Sequence, residues 1–140
     1  MLPTIQLGSL FISELIGKEI ISDTYKSINN SVTSIHEFNE VSVNIILEEL
    51  DILKKIEIVN SLFNEIEGIG NKTKILALNN LHEIADKIKE ELHEIKKDIK
   101  YSQTLYLASW RNKPYLVKLK KLRNHSYILD NRLDLVLKLG

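Results

Sequence analysis

The groups in this chain whose types could do chemistry are four histidines, one glycine-flanked Asn-Lys-Thr and a run of cations near the C-terminus. The histidines are His36, His82, His93 and His125. A two-histidine metal site on a helix needs its ligands four residues apart on one face. His82 and His93 are eleven apart, and Asp86, four after His82, is an ordinary residue for a charged flank. The pattern therefore names no metal site. A helical ribonuclease built on arginine followed four to six residues later by histidine is excluded as well. None of Arg111, Arg123 or Arg132 has a histidine in that window. The stretch Gly68-Ile-Gly70-Asn-Lys72-Thr73 ends like a phosphate-binding loop. Such a loop needs a preceding buried strand and a G-x-x-x-x-G-K-S/T run whose amides cradle the phosphates. Here a helical pattern precedes it, so it reads as a helix–helix turn. Cysteine is absent, which removes disulfides, thiolate metal sites and cysteine nucleophiles. No paired buried carboxylates can be assigned, because Glu and Asp lie mainly opposite the apolar stripes. The chemistry-bearing residues thus suggest neither an enzyme nor a cofactor site.

Two stretches stand out instead. Arg111, Lys113, Lys118, Lys120, Lys121 and Arg123 form a run of six cations with no acid among them. Trp110, Tyr115 and Tyr127 flank the run, and both residue types favour membrane interfaces. Basic side chains near an anionic lipid surface contribute about 1 kcal/mol each. The alternative is that these cations face an acidic helix across the molecule. Nucleic acid is disfavoured, because the chain has zero net charge and no recognised groove-reading element. The second stretch is the N-terminus, which carries no charged side chain up to Ser13. Leu7, Leu10, Phe11 and Leu15 could serve as core or, if released, as an apolar wedge at a bilayer interface.

The elements that must position these groups read as helices. A first segment spans about 4–29, with Ile5, Ile12, Ile16 and Ile20 near one face, and Asn29-Asn30-Ser31 reads as a turn. A second helix starts near Ser34, where Ser34-x-x-Glu37 fits a capping box. Ile45, Ile52, Val59 and Ile66 recur every seven residues along it, and Gly68-Ile-Gly70 ends it. A third helix begins near Asn71 or Thr73. Its stripe Leu78, Leu81, Ala85, Ile88, Leu92, Ile95 and Ile99 keeps spacings of three and four without a miss. Trp110-Arg-Asn-Lys-Pro114 interrupts the pattern, with Asn112 able to cap and Pro114 suited to a first turn. The last helix then carries Tyr115, Leu119, Leu122, Ser126, Leu129, Leu133 and Val136. At 1.5 Å per residue each helix is roughly 40–50 Å long. Short connections predict antiparallel neighbours. The fold class expected is all-α, an antiparallel four-helix bundle with long helices, forming a single domain over 1–140.

Charge is unevenly spread despite the zero total. Residues 111–140 hold eight basic groups against Asp130 and Asp134. That asymmetry bears on partners more than on fold. No run of about 18 apolar residues predicts a transmembrane helix. The apolar N-terminus lacks the basic region and cleavage site of a signal peptide.

The layout resembles the four-helix cell-death domains. These are the fungal HeLo domain, the N-terminal bundle of the mixed-lineage-kinase-like pseudokinase, and the plant powdery-mildew-resistance coiled-coil domain. The resemblance is carried by Leu7-Gly-Ser-Leu-Phe-Ile-Ser-Glu-Leu-Ile-Gly17 leading to Tyr25-Lys-Ser-Ile28. It is carried also by the tightly joined second and third helices, and by Trp110-Arg-Asn-Lys-Pro-Tyr115 before Lys118-Leu-Lys-Lys-Leu122. It implies a non-enzymatic bundle, cytoplasmic and membrane-associating, that oligomerises, binds anionic phospholipid and permeabilises membranes, or a decoy inhibitor of such a pathway. On that expectation Arg111, Lys113, Lys118, Lys120, Lys121 and Arg123 engage lipid headgroups, and Leu7, Leu10, Phe11 and Leu15 enter the bilayer. No cofactor, metal or nucleic acid is expected. A kinase-like, nucleotide-binding or amyloid-forming region is not expected after the bundle, which departs from the usual architecture. The rival expectation is a structural adaptor that pairs a helical stripe with a partner.

Overall fold

The computed structural model describes the backbone of residues 2–65, 72–104 and 115–139, and the side chains of 19–65, 72–104 and 115–139. The described residues are helical with no strand among them. The elements are α1 (Leu2–Glu37), α2 (Val41–Leu50), α3 (Ile52–Asn64), α4 (Lys72–Thr104) and α5 (Tyr115–Leu139).

The stripes expected on α4 and α5 are the core of the molecule. Leu78, Leu81, Ala85, Ile88, Leu92, Ile95 and Ile99 are all buried, and so are Tyr115, Leu119, Leu122, Ser126, Leu129, Leu133 and Val136. Steps of three and four average close to the 3.6-residue turn, so one face of each helix stays inward along its length. α4 packs most closely on α5 and on α1, and α1 also packs on α3. α5 meets α2 and α3 more lightly. Along the α4–α5 seam, Lys118 meets Asp98, His125 meets Glu91 and Arg132 meets Glu83. Residue numbers rise on one helix as they fall on the other, so these two run in opposite directions. Tyr115 meets Glu40, Arg123 meets Glu49 and Asp130 meets Lys55. Here both numbers rise together, so α5 runs the same way as α2 and α3. The closest neighbours of α4 are therefore α5 and α1, rather than α3, which precedes it in the chain.

The first half of the chain departs from the sequence reading in three places. Asn29-Asn30-Ser31 is not a turn, because α1 continues through it to Glu37. Asparagine costs a helix less than about 0.7 kcal/mol. Burying Ile28, Val32 and Ile35 on one face outweighs that cost. Ser34 consequently lies inside α1 and caps nothing. The chain turns at 38–40 instead, with Asn39 at φ 57°, and Glu40 occupies the N-cap of α2 without a side-chain capping bond.

The second departure is a break in the expected second helix. Asp51 sits in the left-handed region at φ 51° and ψ 41°, ending α2 and opening α3. Its N–H reaches the carbonyls of Leu47 and Glu48. The break changes the register of the seam. The buried residues are Val43 and Leu47 on α2, then Ile52, Ile56, Val59 and Phe63 on α3. The step from Leu47 to Ile52 is five, one more than a helical face allows, and the left-handed residue absorbs the excess. Ile45 is thereby turned outward, 51% exposed, although the seven-residue repeat places it inward with Ile52 and Val59. The third departure is Ile20, which is 43% exposed while its neighbour Ile21 is fully buried. The other α1 residues of that expected face, Ile5, Ile12 and Ile16, lie outside the described side chains. So do Gly68-Ile-Gly70, Asn71 and the segment from Trp110 to Pro114.

A β-branched side chain cannot take the Asp51 conformation cheaply. Asp51→Val is expected to cost about 1–2 kcal/mol, and Asp51→Gly less than about 0.5 kcal/mol in either direction. Chemical denaturation of the two variants checks this. Equal stability in both would mean that the left-handed turn carries no strain.

Candidate functional site

The basic run divides into cations that pair with acids on neighbouring helices and cations that form no ion pair among the described residues. Lys118 is partly buried, and its side chain crosses to α4. Its Nζ is 2.7 Å from Asp98 Oδ2 and 3.5 Å from Glu94 Oε2. The bond to Asp98 and the nearby acids hold its ammonium above the usual lysine range against the opposing effect of burial. Arg123 reaches across to α2, with Nη2 3.4 Å from Glu49 Oε2. Farther along α5, Arg132 bonds the carbonyl of Asn80 and the carboxylate of Glu83. α5 is basic and its neighbours α2 and α4 supply acids, so much of the sequence's charge asymmetry closes on itself.

Lys120 and Lys121 behave differently. Both are exposed, and neither forms an ion pair among the described residues. At about 100° per residue, Leu116, Lys120 and Tyr127 fall within about 40° of one another on the outer side of α5. Val117, Lys121, Asn124 and Leu135 continue that side. Leu116 is 49% exposed, Val117 63% and Tyr127 65%. The outer side of α5 is thus a surface of free cations set among large apolar side chains. Arg111 and Lys113, the other two cations expected to bind lipid, lie outside the described residues. The side chains of Leu7, Leu10, Phe11 and Leu15 lie outside them too.

Spacing alone groups all six cations, because it does not show which acids oppose them. It also passes over the apolar companions Leu116 and Val117. A signal for them exists in the sequence, since both fall off the buried stripe defined by Tyr115, Leu119 and Leu122.

The start of α5 is fixed by a polar contact. The Tyr115 ring is 1% exposed, and its hydroxyl donates to Glu40 Oε2 at 3.1 Å. Burial and the adjacent Glu40 carboxylate push the phenol up to about 12. Tyr115→Phe is expected to cost about 1.5 kcal/mol, the value of a hydrogen bond to a charged acceptor. The folded phenol lies above the unfolded value of 10.0. Its contribution is therefore whole below pH 10 and is lost as pH rises toward 12. Denaturation midpoints between pH 9 and 11.5 check this, with the Phe variant losing less than the parent chain over the same range.

His82 and His125 are partly buried on the two flanks of α4, while His36 and His93 are exposed. His82 is not on a solvated flank, as its sequence neighbours suggest. It packs edge-on against Phe63, with ring centroids 6.4 Å apart at 62°. Among the described residues no three His, Asp or Glu side chains gather into a group that could hold a metal ion. A cleft of about 390 Å³ lies beside His125, lined among others by Ser27, Lys87, Glu91 and Glu94.

The described residues define an all-helical protein whose polar seams are built from ion pairs and hydrogen bonds between neighbouring helices. No helix among them is long and apolar enough to cross a membrane. Comparison with known families, with curated proteins and with solved structures found no match.

Proposed function

We propose that this chain is a non-enzymatic antiparallel four-helix bundle, α2 and α3 counting as one bent helix, that engages anionic membrane surfaces through the outer side of α5. One observation carries the reading: Lys120 and Lys121 are exposed and unpaired among the described residues, beside Leu116, Val117 and Tyr127. Cations that serve only solubility have no need of large apolar neighbours. At a membrane interface the two kinds of group act together. Apolar side chains enter the boundary region while lysines extend to the phosphates. The action proposed is that of the cell-death domains the sequence resembles, self-association and permeabilisation, or occupation of a partner bundle as a decoy. Arg111 and Lys113 would extend the basic surface, and Leu7, Leu10, Phe11 and Leu15 would supply the wedge.

The test is co-sedimentation and dye leakage with vesicles of phosphatidylcholine containing phosphatidylserine, against phosphatidylcholine alone. The reading requires binding and leakage that depend on the anionic lipid and weaken with salt. Sealed, unbound phosphatidylserine vesicles would overturn it.

A specific observation favours the adaptor reading in parallel. Val41 and Ile45 are exposed one turn apart on α2, a spacing that suits contact with a partner helix. That reading calls for a defined oligomer in solution and no response to lipid.

A further inference from the structure

We infer that His82 and His125 form an acid-sensitive latch, closing α4 against α3 and α5 when their rings are neutral and loosening both seams when they are protonated. The geometry is the same in kind at both places. Each ring is partly buried in a seam, and each has one nitrogen enclosed without a hydrogen-bond partner among the described residues, Nε2 of His82 and Nδ1 of His125. A neutral imidazole can leave its bare nitrogen unpartnered at modest cost. A protonated ring carries N–H on both nitrogens, so the enclosed one becomes a charged donor with nothing to receive it.

The charged neighbours do not rescue either ring. His82 faces Asp86 and Lys89 on its own helix, and from α3 it receives the Phe63 ring. Asp86 is already held by Lys89 at 2.8 Å, so its attraction for a protonated His82 is largely spent. His125 faces Glu91 and Lys87 from α4 and Lys121 from its own helix, with Ser27 of α1 in the same cleft. Glu91 Oε1 stands 3.6 Å from His125 Nε2 and would draw a proton there. The two lysines oppose it, and the proton on Nδ1 would still be enclosed. Burial leads the causes at both residues, and both are held below the histidine value of 6.5. Stability from these rings is therefore complete above pH 6.5 and falls as pH drops below it through the folded values. Carboxylates do not share this window, since their ordinary titration lies near pH 4.

The experiment is a thermal melt of the full chain by circular dichroism at pH 7.5 and at pH 5.5. It is run on the parent, on the His82→Phe/His125→Gln double variant, and on a His36→Gln/His93→Gln control. The parent and the control should each lose at least about 3 °C on acidification, and the double variant less than a third of that. A second measurement, the NMR titration of the histidine ring protons in the parent chain, stands even where the double variant fails to fold. It should show two rings titrating below the ordinary histidine value of 6.5, and the His36→Gln/His93→Gln spectrum should keep that pair. Melting points unchanged by acid would overturn the latch. A drop of equal size in the double variant, or His82 and His125 rings titrating at or above 6.5, would overturn it as well.

Discussion

Leu92→Ala is expected to lower the stability of the chain by about 3 kcal/mol. Leu92 is fully buried at the middle of the α4 stripe, between Ile88 and Ile95, which are also fully buried. α4 is the helix that packs closely on both α1 and α5. Removing the terminal isopropyl group leaves a cavity inside the core that the neighbouring helices fill only in part. The loss then adds a cavity contribution to the transfer energy of the missing carbons. Against a total stability of roughly 5–15 kcal/mol, such a loss is a large fraction. Urea denaturation followed by circular dichroism checks it. Val117→Ala, on the exposed side of α5, should change stability by less than about 0.5 kcal/mol. A loss below about 1 kcal/mol for Leu92→Ala would mean that the α4 stripe is not the core.

The contrast between these two positions explains how far the sequence can be read. The stripes of α4 and α5 are legible because periodic burial is a nonlocal demand written as a regular local pattern. Every residue from Leu78 to Ile99 and from Tyr115 to Val136 that the spacing places inside is inside. The α1–α2 region is less legible because local signals there oppose the packing. Asn29-Asn30-Ser31 has turn composition, yet Ile28, Val32 and Ile35 hold the helix against the core. Asp51 has no feature that marks it as left-handed, since aspartate tolerates that conformation without requiring it. The five-residue step from Leu47 to Ile52 is the one trace of the break, and the repeat of Ile45, Ile52 and Val59 masks it. In the basic run, spacing finds a cationic helix. Only the fold can divide it, because Glu94 and Asp98, which hold Lys118, belong to a different helix far back in the sequence.

That division makes charge reversal at Lys120 and Lys121 informative, where the same change at Lys118 would be ambiguous. Lys120→Glu/Lys121→Glu removes two cations and adds two anions on the outer side of α5. At about 1 kcal/mol per charge near an anionic surface, the change amounts to about 4 kcal/mol, or roughly a thousandfold in vesicle affinity at low salt. The residues are exposed and make no ion pair among the described residues, so the helical content and melting point should stay close to those of the parent. Lys118→Glu places a carboxylate against Asp98 and Glu94, and should lower the melting point whatever lipid does. Binding curves on phosphatidylserine vesicles at low and high salt, with melting curves of each variant, separate the two effects. The thousandfold loss should shrink as salt rises, because exposed charges are screened over about 10 Å near physiological strength. If Lys120→Glu/Lys121→Glu bound vesicles as the parent does while Lys118→Glu did not, the outer side of α5 would have no part in binding. The basic run would then act through the α4 seam it helps to close.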